Sequence, residues 1–297
     1  MIPPIDRRSF LHSTLATTAV LAAGAAPAAE EKKPKLKNAV KYGMIRIDGS
    51  IEKKFELVKS LGFLGVEVDS PSNINKDEAV KARDKTGIAI HGVIDSIHWK
   101  DTLSHPDEKV RVKGLAALKG ALEDAKVYGA DTVLLVPGVV NKDVTYEQCW
   151  QRSSAEVRKA IPIAEKNNVK IAIEVVWNNF ITTPDQLIEY IDQFKTPAVG
   201  AYFDCSNMLK YGVKSGDWIR KLGKRMLKFD FKGFSVTKFK NKENPWVAIG
   251  EGDEDWPDVL KALAEVGYNG WATAEVAGGG RKQLQDVADR MKRVLQQ

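Results

Sequence analysis

Short β-rich runs alternate with longer amphipathic segments from about Val40 to the end of the chain, and no other feature constrains the fold as much. Strand-like runs fall at residues 42–47, 65–68, 88–91, 132–136, 170–175, 199–204, 226–231 and 271–275. The first helical segment between them carries an apolar stripe at Phe55, Val58 and Leu61. Others cover about 77–86, 107–128, 146–167, 184–194, 216–223, 256–266 and 281–295, with a long loop after the seventh strand. Strands separated by helices imply a parallel sheet, since parallel neighbours need a long crossover. Eight such units in about 260 residues predict an α/β fold, a single (β/α)8 TIM barrel with eight parallel strands. A doubly wound open sheet is the competing architecture. It carries a Gly-rich turn after its first strand, and Ile47-Asp48-Gly49-Ser50 has no G-x-G-x-x-G.

The 297 residues are 43% hydrophobic and 28% charged, a balance that excludes a disordered, collagenous or coiled-coil chain. Cys149 and Cys205 are too few and too far apart for a disulfide framework. The net charge of +6 comes from Lys and Arg interleaved with Asp and Glu, without a basic block. That pattern reads as a mixed solvated surface, and no nucleic-acid partner is expected.

The first thirty residues read as an address. Asp6-Arg7-Arg8-Ser9-Phe10-Leu11 sets a twin arginine ahead of a weakly apolar stretch at 13–26, and an A-x-A site ends at Ala28. This layout resembles a twin-arginine export signal. The apolar run is short and Ala-rich for a bilayer core of ~30 Å, which leaves an uncleaved membrane tether as the alternative. The expected organisation is a signal peptide at 1–30, a short charged linker at 31–38 and the barrel at 39–297. The mature protein is expected in the periplasm, without a membrane partner after cleavage.

Barrels of this kind place their chemistry at the C-terminal ends of the strands. There the sequence sets Glu67, His91, Glu174, Asp204, Asp230 and Glu275, after strands two, three, five, six, seven and eight. Four acids in succession close the second half of the barrel. Gathered in a partly closed space they repel one another unless a cation holds them, so a divalent metal is the economical explanation. Simpler roles stay open for single residues. Asp204 before Cys205-Ser206 suits an N-cap, and Asp230 suits a pair with Lys228 or Lys232. Cys205 reads as inert packing, with no His nearby in sequence to activate it.

Over almost its whole mature length the chain resembles the xylose-isomerase-like barrels. That superfamily holds sugar isomerases, sugar epimerases, inosose dehydratases and endonuclease IV. The resemblance is carried by Ile173-Glu174-Val175-Val176-Trp177-Asn178 and Tyr202-Phe203-Asp204-Cys205-Ser206-Asn207. Phe229-Asp230-Phe231-Lys232, Ala274-Glu275 and Gly250-Glu251-Gly252-Asp253 ahead of Trp256 extend it. It implies that Glu174, Asp204, Asp230 and Glu275 hold one divalent metal. The epimerase branch has a His where Asp230 stands, many relatives have a His at the position of Asn207, and the branch often has a further acid at that of Phe180. The chain has four His and none beyond His105, so its site is all oxygen. Mg²⁺ or Mn²⁺, then Ca²⁺, is expected ahead of Zn²⁺. Endonuclease IV, whose several zinc ions need many imidazoles, is disfavoured on the same ground.

The resemblance further implies an enzyme, a metal-dependent sugar isomerase or epimerase, with Glu174 and Glu275 as its catalytic carboxylates. One removes a proton beside a carbonyl, an enediolate forms, and the other returns a proton. The partner is a small-molecule sugar or keto-sugar, and a homo-oligomer is compatible with this. Substrate contacts are expected from Glu67, His91, His98, Trp99, Trp177, Asn207 and Lys232. His91 and His98 also suit hydrogen-bonded barrel positions, Trp99, Trp177 and Trp246 ordinary packing, and Lys232 a counter-charge. Two other functions stay open. One is a periplasmic keto-glycoside lyase or hydrolase that expels an aglycone by β-elimination, with His91 or His98 as general acid. The other is a non-catalytic sugar-binding barrel.

Overall fold

Most helices of the protein begin where the sequence offers an oxygen to the unpaired amides of a first turn. In the computed structural model, which describes residues 33–296, Ser50 caps α1 (Ile51–Ser60), Asn75 caps α2 (Lys76–Thr86) and Asp107 caps α3 (Glu108–Tyr128). Capping boxes at Thr145/Gln148 and Thr183/Gln186 open α4 (Tyr146–Asn167) and α5 (Pro184–Asp192). Further on come α6 (Ser215–Leu222), a short α7 (Val236–Lys240), α8 (Trp256–Glu265) and α9 (Arg281–Leu295). The short α7, capped by Ser235, lies in the segment the sequence reads as loop. The export-signal reading of residues 1–30 falls outside the described residues. Among the described residues no helix is long and apolar enough to cross a membrane.

The strands are β1 (Lys37–Lys41), β2 (Gly65–Ser70), β3 (Ala89–Asp95), β4 (Thr132–Leu135), β5 (Lys170–Glu174), β6 (Val199–Asp204), β7 (Met226–Phe231) and β8 (Trp271–Ala274). They pair in chain order, all in parallel, and β1 also pairs with β8 to close the barrel. The chain therefore forms the single (β/α)8 barrel that its alternation predicts. The main core packs between strands and helices, where Phe55, Val58, Leu118, Leu187 and Val259 are fully buried. A smaller apolar cluster of Leu134, Ala172 and Tyr202, with Ile94 and Leu227 against it, fills the barrel interior.

Three strand assignments change. Residues 42–47, read as the first strand, begin instead with a 3-10 turn at Tyr42–Met44. The first strand is Lys37–Lys41, so it starts inside the stretch read as a linker at 31–38. Ala39 and Val40 pair with Gly65 and Val66 on one side and with Thr273 and Ala274 on the other, which is what closure requires. The third strand does not end at His91 but runs on to Asp95. The pairing with β2 steps from Val66↔Ile90 to Glu67↔Gly92, leaving His91 as the extra residue of a bulge. A Cβ at Gly92 would collide with Glu67 Oε1, so a larger residue there would push that carboxylate from its place. Glu67 likewise sits in mid-strand, with β2 continuing to Ser70.

Candidate active site

Glu174 and Asp204 end β5 and β6, Asp230 is the last residue but one of β7, and Glu275 follows β8. The barrel brings all four to one mouth, where one carboxylate oxygen from each lies within 4.8 Å of the other three. Asp204 serves two purposes. Its Oδ1 accepts the Ser206 and Asn207 amides at 2.7 and 2.8 Å, capping the turn that follows, while Oδ2 belongs to the cluster. Asn207 is anchored in turn, donating to Val175 O at 3.3 Å and accepting Trp177 Nε1 on its carbonyl at 2.9 Å. Asp230 has neither of the partners that its neighbours in sequence suggest. Lys228 pairs with Asp131 at 2.7 Å, and Lys232 with Asp204 and Glu275 at 2.9 and 2.7 Å. Asp230 instead takes Lys41 Nζ at 3.0 Å and the Tyr202 hydroxyl at 2.8 Å.

Lys41 also lies 2.6 Å from Glu67. Five carboxylates thus face two ammoniums, an excess of three negative charges were all of them ionised. Asp204 Oδ2, Asp230 Oδ2 and Glu275 Oε2 are buried and lack an aligned hydrogen bond, although an ammonium is close to each. Buried acceptors left in that condition, in a cluster with excess negative charge, are what a bound cation satisfies. The all-oxygen donor set suits a hard divalent ion, which Glu174, Asp204, Asp230 and Glu275 can hold.

Crowding splits the titration of these groups. Burial, reinforced by Glu275, pushes Glu174 up to about 8. Burial acts on Glu275 in the same sense, but the Lys41 and Lys232 ammoniums together outweigh it and hold Glu275 at about 2. Asp230 is raised well above the usual carboxylate range, chiefly by burial. Burial opposes the charge on Lys41, yet Asp230 and Glu67 keep that lysine firmly protonated.

A cavity of about 260 Å³ opens at the cluster, with Ile94 and Leu134 among its apolar walls. His98, Trp99, Trp177, Asn207 and Lys232 line it with Glu174 and Glu275, so the structure brings these five expected substrate contacts together. Glu67 and His91 are not among its walls. Both lie deeper in the barrel than its mouth, because their strands continue beyond them. Glu67 is held by Lys41 and by the Tyr202 hydroxyl at 3.0 Å. His91 stacks on Trp271 at 4.5 Å and lies 3.2 Å from Thr273 Oγ1, and burial with Lys228 and Lys41 nearby holds it neutral.

His98 is also neutral, lowered to about 4 by burial and then by Lys41. Its Nδ1 accepts the Val136 amide at 3.2 Å, which leaves the ring proton on Nε2. Trp177 and Trp246 stack with centroids 5.1 Å apart. Cys205 is buried and its thiol pushed up by that burial, in keeping with inert packing. Sequence reasoning missed Lys41 and Tyr202. Lys41 closes a strand that looks like linker, and Tyr202 hides in the apolar run of β6.

The xylose isomerase-like TIM barrel family matches residues 55–295. An inosose isomerase of Bacillus subtilis (strain 168) is 26% identical over 175 residues, covering 57% of this chain and 62% of the relative. The chain thus aligns with about three fifths of that relative's length. A D-psicose 3-epimerase of Ruminiclostridium cellulolyticum is 25% identical over 258 residues, covering 81% of this chain and 83% of the relative. Among solved structures, the IOLI protein with a binding zinc atom matches with a TM-score of 0.74 at 18% identity. That likeness is one of fold and covers 88% of this chain and 98% of the other. Since the family match takes in seven of the eight strands and all four converging carboxylates, the chain belongs to the xylose isomerase-like TIM barrel family.

Proposed function

We propose that the protein is a metal-dependent sugar isomerase or epimerase that moves a proton beside a carbonyl through an enediolate. The observation that carries this reading is geometric: Glu174 and Glu275 line one cavity with carboxylate oxygens within 4.8 Å of each other, and Lys232 stands 2.7 Å from Glu275. Without a metal, burial raises Glu174 to about 8 while Lys41 and Lys232 hold Glu275 at about 2, which makes Glu275 the readier base. One of the two takes the proton from carbon and the other returns one. Lys232, 2.7 Å from Glu275, keeps that base ionised and has donors for a substrate oxygen. The Nε2–H of His98 donates to a carbonyl or hydroxyl oxygen, and Trp177 and Trp246 offer flat faces to the C–H side of a ring. A divalent cation held by Glu174, Asp204, Asp230 and Glu275, Mg²⁺ or Mn²⁺ first and Ca²⁺ next, supplies Lewis-acid polarisation when bound. The names of the inosose isomerase and D-psicose 3-epimerase relatives support a sugar as the partner.

A keto-glycoside lyase is the second reading, favoured by free space beside Glu275 in a second cavity that Glu174 does not line. Its roles differ from those the sequence suggests. His91 and His98 are both held neutral, so neither is a strong acid for a leaving oxygen, and Glu174 is the carboxyl that lines the first cavity with Glu275. Glu275 would remove the proton beside the keto group and Glu174 would protonate the departing aglycone. Solvent-deuterium exchange with the metal-loaded protein decides the matter, using ketoses and keto-glycosides. Deuterium in recovered sugar without release of an alcohol supports the isomerase or epimerase. Aglycone release supports the lyase, and neither outcome leaves a sugar-binding barrel. Export to the periplasm belongs to the same proposal and is tested by fractionating the producing cells.

A further inference from the structure

A second cavity adjoins the acidic one. It measures about 630 Å³ against about 260 Å³, and Lys232, Trp246 and Glu275 line both. It lies between the segment that follows α7, the residues after β8 and α9 as far as Arg290. A molecule held at Glu275 therefore has room to extend past Trp246 towards α9.

The walls say what chemistry fits. Four charged side chains contribute, Lys232 and Arg290 against Glu275 and Asp286, so the signs balance. Both cations already have carboxylate partners. Lys232 lies 2.9 and 2.7 Å from Asp204 and Glu275, and Arg290 lies 2.7 Å from both Asp286 and Glu251. A phosphate or carboxylate would compete with these carboxylates for the same two cations. The side-chain amides of Asn244 and Gln283 bring donors and acceptors, while Val247, Ala248, Val276 and Ala277 form an aliphatic wall beside the Trp246 indole. Amides, an aromatic face and balanced charge make a surface for a neutral ring bearing hydroxyls.

We propose that this cavity is a subsite for a neutral glycosidic substituent, and hence that the substrate is a glycosylated sugar. Its reacting ring lies at Glu174 and Glu275, and its second ring between Trp246 and α9. The proposal rests on the sugar-carbonyl reading above and narrows its substrate class, away from monosaccharides and sugar phosphates.

Calorimetric titration of the metal-loaded full chain with fructose, fructose 6-phosphate and the glucosyl-fructoses turanose, leucrose and palatinose tests it, with deuterium wash-in measured on the same sugars. At least one glucosyl-fructose is expected to bind about tenfold tighter than fructose, and fructose 6-phosphate no tighter than fructose. Ala277 is exposed, so Ala277→Trp can fill the subsite without disturbing the core. With its melting temperature unchanged, this variant should shrink the disaccharide-to-fructose ratio to about twofold or less, and Gln283→Ala should shrink it in part. The proposal is overturned if no glucosyl-fructose outbinds fructose, if the ratio survives in Ala277→Trp, or if the phosphate ester binds tightest. Tight disaccharide binding without wash-in supports the subsite while removing the proton-transfer reading, so the two fail separately.

Discussion

Glu174 and Glu275 present carboxylate oxygens within 4.8 Å of each other, yet burial pushes the first up to about 8 while two lysines hold the second at about 2. The asymmetry comes from Lys41 and then from Lys232, whose ammonium stands 2.7 Å from Glu275. Without a metal, one barrel mouth thereby holds a proton donor and a proton acceptor at the same pH.

If these two groups exchange the proton with substrate, Glu174→Gln and Glu275→Gln should each lower deuterium wash-in by about 10²–10⁴-fold. Both side chains stand at the barrel mouth, and although Glu275→Gln gives up the ion pair with Lys232, neither change touches a strand pairing, so circular dichroism should be unaltered. Full exchange in either variant would withdraw its assigned role.

The pH dependence of stability has a definite sign in the chelated protein. Glu174, raised from 4.5 to about 8, keeps in the folded state a proton that the unfolded chain releases above about 4.5. Stability is therefore lost as pH rises through that window, and Asp230, also raised, acts in the same direction. Glu275, lowered from 4.5 to about 2, works the other way, its contribution lost as pH falls through the acid range. The melting temperature should decline between about pH 5 and 8, and Glu174→Gln should flatten that decline. A rise over the same range would contradict the split.

Metal binding should be coupled to these protons. Because Glu174 and Asp230 retain theirs to high pH, titrating Mn²⁺ into chelated protein should release protons, with affinity rising towards pH 8. Asp230→Ala should weaken binding by at least about tenfold. Asp230→His should shift preference from Mg²⁺ towards Zn²⁺ in a competition titration, as an imidazole ligand favours the softer ion. Unchanged affinity in Asp230→Ala would take that residue out of the ligand set.

Lys41 is the ammonium between two buried acids, so Lys41→Met removes the ion pair of Glu67 and the cation beside Asp230. Urea unfolding should show a loss of about 3–5 kcal/mol, as for other broken buried pairs. Adding Glu67→Gln should recover part of it. Tyr202→Phe, which removes the hydroxyl shared by Glu67 and Asp230, should cost about 1–3 kcal/mol.

Much of the barrel is legible residue by residue. β6, β7, α4 and α9 span the segments their periodicity marks, and the Thr145/Gln148 and Thr183/Gln186 capping boxes start α4 and α5 as local chemistry directs. The four acids at the ends of the last strands are legible for the same reason, since a strand end is a local property. β1 is not legible, because Lys37–Lys41 has charged ends and becomes a strand only when β2 and β8 flank it. His91 looks like a strand end because nothing local marks the bulge that turns it inward.

The sequence alone thus determined the alternation, the closed parallel architecture and the identity of the converging carboxylates, all of which depend on neighbours a few residues apart. Tertiary structure decided which charges meet. Lys41 reaches Glu67 across 26 residues of chain, and Tyr202 reaches the same carboxylate across 135, only because the barrel closes. Proton affinity follows from those distances and from burial, and neither exists until remote strands share one interior.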